Sequence, residues 1–215
     1  MTEHIRFYFD PICPWCYQTS RWLRRVAGLG AAELTWGLFS LELQNADREP
    51  ERLAREHSRS ALSLRTGVAV REAAGPDGLG AFYGAIGGRV HGDGQPLEDP
   101  DTVKGALEDA GLDPSLVDVA AEDQRYADAV VAEHRALVER TRSFGVPTMV
   151  LDDGHGPAIF GPVISEPPVD DAEALTLFEH VVWLARYENF SELKRDRVVL
   201  PRVESVRRWE REQPD

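Results

Sequence analysis

Cysteine is almost missing from this chain: there are two among 215 residues, Cys13 and Cys16. A pair three positions apart cannot form the spread framework of cross-links that braces small secreted domains, so a reducing compartment is expected. A zinc site would need two more ligands. No cysteine remains to supply them, and the six histidines form no second close pair. No stretch approaches the ~18 consecutive apolar residues that a membrane-spanning helix requires. Met1 to His4 lacks the basic, apolar and small-residue pattern of a secretory leader, and a cytoplasmic location is expected. Basic residues are the minority, 24 Lys and Arg against 37 Asp and Glu, for a net charge of −13. Nucleic acid and anionic membranes would be repelled, so neither is expected as a partner. With 42% hydrophobic and 28% charged residues the composition is that of an ordinary globular protein, which excludes disorder.

What is present is ordered into blocks. Ile5 to Asp10 alternates and is rich in aromatics, predicting a strand that Pro11 stops. Trp15, Thr19, Trp22, Leu23 and Val26 then recur at helical spacing until Gly28 and Gly30. Leu34 to Phe39 predicts a second strand, completing a β-α-β unit. From about Asp47 to Phe144 strand signals vanish. Asp99-Pro100 and Asp113-Pro114 read as helix starts, and Gly111 as a stop. Ala129, Val130, Leu137 and Val138 suggest a longer amphipathic helix. Gly75-Pro76-Asp77-Gly78 and His91-Gly92-Asp93-Gly94 read as turns. Val146 to Leu151 and Pro157 to Gly161 predict a hairpin across Asp152 to Gly156. Ala172 to Tyr187 predicts a helix with Leu175, Phe178, Val182 and Ala185 on one face. Past Asn189 Arg and Glu mix without clear periodicity. The expectation is an α/β thioredoxin-like fold with a large all-helical insertion. Residues 1–44 and 144–196 form its two halves, 45–143 the insertion and 197–215 a tail.

The chemistry is concentrated in Cys13-Pro14-Trp15-Cys16. Helical residues three apart share a face and can be bridged by a disulfide with little backbone movement. A cysteine at a helix N-terminus meets unpaired N–H groups and the positive end of the dipole, which favour its thiolate. Pro14 suits the first turn, where its missing N–H would have been unpaired anyway. Cys13 is therefore the expected nucleophile and Cys16 the resolving thiol that releases a mixed disulfide. Two cysteines that merely pack in a core are the plain alternative. Val146-Pro147-Thr148 is the second informative spot, because proline inside a strand is confined to a start, an edge or a bulge. On composition alone a trans proline opening a strand is the reading, since X-Pro bonds are cis only ~5–6% of the time.

Phe9 to Cys16, the helical insertion, Gly145-Val146-Pro147-Thr148 and Phe160-Gly161-Pro162-Val163 together resemble the DsbA-like branch of the thioredoxin superfamily. Within that branch the chain is most similar to mycothiol-dependent nitroreductases. Supporting stretches are Thr19 to Trp22, Gly88 to His91 and Phe190 to Arg195. The resemblance implies that Pro147 is a cis-proline facing the dithiol and that the Val146 backbone pairs with an extended thiol substrate. It also implies that Trp15 and Thr148 shape the groove beside Pro14. Electrons would come from a low-molecular-weight thiol, mycothiol, with no tightly bound cofactor, and pass to a small disulfide or nitro compound. No dinucleotide fingerprint is present. Tyr17 departs from the pattern, standing where an indole would also fit.

His91 is a candidate to line the cleft and donate to a substrate, against the plainer reading of a surface histidine on a glycine turn. Tyr126 and His134 could face the groove together, or simply pack. Trp22 and Trp36 read as core. Arg202, Arg207, Arg208 and Arg211 read as a solvated, salt-bridged face, with docking of a second copy in a homodimer as the alternative. Two other functions share these residues. One is a thiol-dependent isomerase of the 2-hydroxychromene-2-carboxylate or polyketide type, disfavoured by the second thiol. The other is a non-enzymatic adaptor or chaperone using the groove beside Pro147, disfavoured by an acidic chain without an evident apolar patch.

Overall fold

The computed structural model describes residues 2–46 and 58–212. Its four-stranded sheet is built around β1 (Glu3–Phe9). β2 (Ala32–Leu38) lies parallel to β1 in the register Glu3 to Ala32 through Phe9 to Leu38. β3 (Thr148–Val150) runs antiparallel on the other side, with Tyr8 opposite Thr148, and β4 (Ala158–Phe160) closes the order β2-β1-β3-β4. A strand flanked on both sides needs apolar residues, and Ile5, Phe7, Tyr8 and Phe9 are all buried. The β3–β4 hairpin appears as expected. Its turn is tight because Asp152 and Asp153 both take left-handed backbone (φ 54° and 52°), which short polar side chains tolerate best.

The parallel pair is joined by α1 (Pro14–Gly28), whose buried residues Cys16, Thr19, Trp22, Leu23 and Val26 follow helical spacing. It packs on α7 (Asp171–Arg186). The Trp22 indole N–H donates to the Ala174 carbonyl at 3.0 Å, and its ring meets Phe178 edge-on. Among the described residues, the helical segment between β2 and β3 contains α2 (Leu41–Asn45), a short 3-10 turn (Ser58–Ser60), α3 (Ala61–Gly87), a π turn (Gly88–Gly92), α4 (Pro100–Asp109), α5 (Leu116–Glu122) and α6 (Gln124–Thr141). Asp99 caps α4 by accepting from the Asp101 amide, and Gly111 (φ 69°) turns the chain after it.

Two expectations need correction. Gly75-Pro76 is a kink inside α3, not a turn between elements. Gly75 (φ 72°, ψ −172°) breaks the ladder and Pro76 restarts it, since a proline in a first turn forfeits no bond. The tail, read as lacking periodicity, forms α8 (Glu204–Glu212), held by Glu204–Arg211 and Arg208–Glu212 pairs.

The helical segment is fastened to the sheet in two ways. Tyr83 of α3 stacks on Phe9 with centroids 3.6 Å apart and meets Trp36 edge-on. Gly80 allows this approach, because a Cβ there would lie 2.5 Å from the Trp36 indole nitrogen. The second fastening is ionic. Glu133 of α6 accepts from Arg71 of α3 (2.7 and 3.1 Å), from Arg6 of β1 (3.2 Å) and from the Leu38 amide of β2 (3.1 Å). A carboxylate only partly screened from water and shared by these donors is costly to remove, because the arginines and the amide lose their acceptor together. Glu133→Ala is expected to lower stability by about 2–4 kcal/mol, read as a reduced midpoint in urea unfolding. Substitution of the exposed Glu139 should leave the midpoint in place.

Candidate active site

β1 ends at Phe9, and the next four residues must turn the chain into α1. The Cys13 amide donates to the Asp10 carbonyl at 3.0 Å, closing that turn. Cys13 is then the N-cap of α1, extended at φ −84° and ψ 108°, with Pro14 opening the helix. Its Sγ takes the place of a capping oxygen and accepts the Cys16 N–H at 3.3 Å. On its other side Cys13 Sγ lies 3.8 Å from the Val146 carbonyl, to which the thiol donates. Both sulfurs are free thiols; Cys13 is 6% exposed and Cys16 is fully buried. Burial pushes the Cys16 thiol up, and its contact with Cys13 adds to this.

The Val146–Pro147 bond is cis, as the family resemblance implied and composition did not. A second cis bond, Gly161–Pro162, was not foreseen. The two loops are joined, since the Gly161 amide donates to the Pro147 carbonyl at 2.8 Å. The Pro162 carbonyl in turn accepts from the Thr19 hydroxyl of α1 at 2.8 Å. Both proline loops are thereby fixed relative to the helix that carries the dithiol.

Trp15 is half-buried beside the dithiol, with the Arg197 guanidinium 5.5 Å above its ring. Pro14 is also half-buried. Thr148 does not shape a groove. It is fully buried, and its hydroxyl donates to the Gly145 carbonyl at 2.8 Å, bracing the proline loop from behind. His91 is neither on the surface nor open to a substrate. It is buried, with Nε2 2.9 Å from the Pro11 carbonyl and Nδ1 2.8 Å from the Ser205 hydroxyl. Tyr126 and His134 are packing residues, His134 lying against the Phe39 ring.

Sequence reasoning passed over Asp10. Its carboxylate is fully buried and accepts from the Ile12 amide (3.1 Å), the Leu41 amide (2.8 Å) and the Ser60 hydroxyl (3.2 Å). A charged residue directly after an apolar strand and before proline was the available signal. Burial raises its pKa to about 6, the hydrogen bonds opposing this only in part. Among the described residues no cluster of three His, Cys, Asp or Glu could hold a metal ion.

Residues 12–195 match the family model described as Rv2466c-like, mycothiol-dependent nitroreductase Rv2466c. The chain belongs to the Rv2466c-like family. Uncharacterized protein Rv2286c of Mycobacterium tuberculosis is 34% identical over 194 residues, which are 89% of this chain and 81% of that protein. The cytosolic disulfide reductase DsbM from Pseudomonas aeruginosa superposes with a TM-score of 0.56 at 18% identity, covering 84% of this chain and 99% of its own. A 2-hydroxychromene-2-carboxylate isomerase superposes with a TM-score of 0.59 at 18% identity, covering 85% and 96%. Probable DsbA oxidoreductase SCO1869 from Streptomyces coelicolor superposes with a TM-score of 0.56 at 20% identity, covering 90% and 94%, and with it these superpositions establish a DsbA-like thioredoxin fold. Within the Rv2466c-like family the two cysteines indicate a thiol oxidoreductase.

The raised Asp10 pKa has a measurable consequence. The unfolded carboxyl titrates near 3.8 and the folded one near 6, so the folded state holds the proton more tightly. The stability this confers is complete below pH ~4 and is lost as the pH rises to ~6, a change on the order of 3 kcal/mol. Asp10→Asn should remove that slope from urea unfolding measured between pH 4 and 6.5. It should also destabilise at every pH, because an amide nitrogen would face one of the donors.

Proposed function

We propose that this protein is a thiol–disulfide oxidoreductase that takes two electrons from a low-molecular-weight thiol of the mycothiol type. The observation that carries the reading is the placement of Cys13 Sγ. It caps a helix N-terminus, accepts the Cys16 N–H at 3.3 Å and faces the carbonyl before cis-Pro147. A donor N–H and the positive end of a helix dipole stabilise charge on sulfur, which is the form that attacks.

The step balances as follows. Cys13 thiolate attacks one sulfur of a small disulfide, forming a mixed disulfide and expelling a thiolate. Cys16 attacks Cys13 Sγ and its proton passes to the departing sulfur, closing the internal disulfide and releasing the second thiol. Two molecules of the low-molecular-weight thiol then reduce the internal disulfide and leave as their own disulfide. Burial disfavours the Cys16 thiolate, so Cys16 waits as the thiol until the mixed disulfide forms. A nitro acceptor would take the same two electrons with two protons, giving a nitroso product and water. The family description supports that acceptor, and the narrow access to Cys13 supports small molecules over protein disulfides.

The isomerase fold is closely similar, so the fold does not separate the two activities. The buried second thiol favours the reductase, because an isomerase has no use for a resolving sulfur. In the test, reduced protein is supplied with mycothiol and a small disulfide of a different thiol, or a nitro compound. Turnover should fall to background in Cys13→Ser. Cys16→Ser should accumulate a mixed disulfide on Cys13, seen by intact mass as one added thiol. Full turnover by Cys13→Ser overturns the reading.

A further inference from the structure

The Pro11–Ile12 peptide unit carries the chain from β1 to the nucleophile, and it is held at both ends. Its N–H, that of Ile12, donates to Asp10 Oδ1 at 3.1 Å. Its carbonyl, that of Pro11, lies 2.9 Å from Nε2 of the buried His91. A carbonyl only accepts, so Nε2 carries the hydrogen and Nδ1 offers its lone pair. The group that meets Nδ1, at 2.8 Å, is the Ser205 hydroxyl, which therefore donates. Burial keeps the ring neutral by lowering its pKa to about 4, which suits this arrangement.

Ser205 belongs to α8, and α8 is seated on the π turn that presents His91. Arg208 donates to the Gly94 carbonyl at 3.2 Å, and Val203, just before the helix, is buried. The His91 ring also lies 5.2 Å from the Tyr17 ring in the first turns of α1. α8 falls beyond residues 12–195, where the family match lies, so the far end of this chain of hydrogen bonds is outside the family pattern.

We propose that α8 positions the nucleophile. Ser205, through His91, fixes the Pro11 carbonyl and so holds Cys13 at the mouth of α1. His91 is a positioning residue, acting on the reacting sulfur through one peptide unit. The inference rests on Cys13 being the attacking thiol, and its test separates the two ideas.

The measurement is the rate at which iodoacetamide alkylates Cys13 at pH 7 in the full-length Cys16→Ser background. It is paired with kcat and KM for a small disulfide in the full dithiol protein. His91→Phe should slow alkylation and lower kcat about tenfold with KM unchanged, and Ser205→Ala about threefold. His91→Gln places an amide donor where Nε2 stands and should recover most of the loss. Alkylation unchanged or faster in His91→Phe overturns the proposal, as does a Gln variant no better than Phe. If His91→Phe fails to fold by circular dichroism, Ser205→Ala decides, and an unchanged rate there overturns the proposal. A wild-type protein that reduces no disulfide removes the reductase reading, while the alkylation rates still decide the relay.

Discussion

A sulfur atom can cap a helix only where its own residue is held extended ahead of the first turn, and here the turn from Asp10 to Cys13 must hold it so. Pro11 supplies no N–H, and the loop has too few groups of its own to define one conformation. The partners that fix it come in part from Asp10 at its head and in part from a distant ring. The Asp10 carboxylate takes the Ile12 amide, and the Asp10 carbonyl takes the Cys13 amide. The ring of His91 takes the Pro11 carbonyl. With these in place Cys13 Sγ lies between the Cys16 N–H and the Val146 carbonyl.

The same contacts tie the redox loop to the helical segment. Asp10 Oδ2 also binds the Leu41 amide at the start of α2 and the Ser60 hydroxyl just before α3. His91 reaches the loop from the π turn that follows α3. One long helix is thus flanked at both ends by residues that hold the dithiol loop. Near its C-terminal end, Tyr83 packs on Phe9, the strand residue that leads into that loop. Filled acceptor sites let the carboxylate tolerate burial, but burial still raises its pKa, an arrangement in which positioning outweighs stability.

Much of the fold was legible because it follows local rules. β1, α1 and the β3–β4 hairpin come from alternation, helical spacing and turn residues, and the dithiol from its three-residue step after a strand. The residues that escaped were those whose roles depend on distant partners. Asp10 is bonded to groups 31 and 50 positions away, which no local pattern announces. His91 looked like a surface residue because glycines flank it. It is Gly87, upstream of the turn, that lets the chain close on Tyr17, since a Cβ there would lie 2.6 Å from that ring. Thr148 was assigned to the groove by analogy, but its hydroxyl is bound behind the proline loop. α8 hid in an Arg- and Glu-rich tail, where helical spacing is carried by charge pairs in place of apolar residues.

Glu133 bears on how such proteins can be dissected. The amide of Leu38, at the end of β2, has its acceptor on α6, and Arg6 in the central strand finds its counter-charge there as well. A minimal version made by excising the helices and rejoining the sheet would expose Trp36 and Phe9 and leave that amide and that guanidinium without acceptors. Its strands would need new polar and apolar residues before they could stand alone. The helical segment is therefore a brace for the sheet and for the loop that carries the dithiol, and transplanting the dithiol into another scaffold means carrying that brace along.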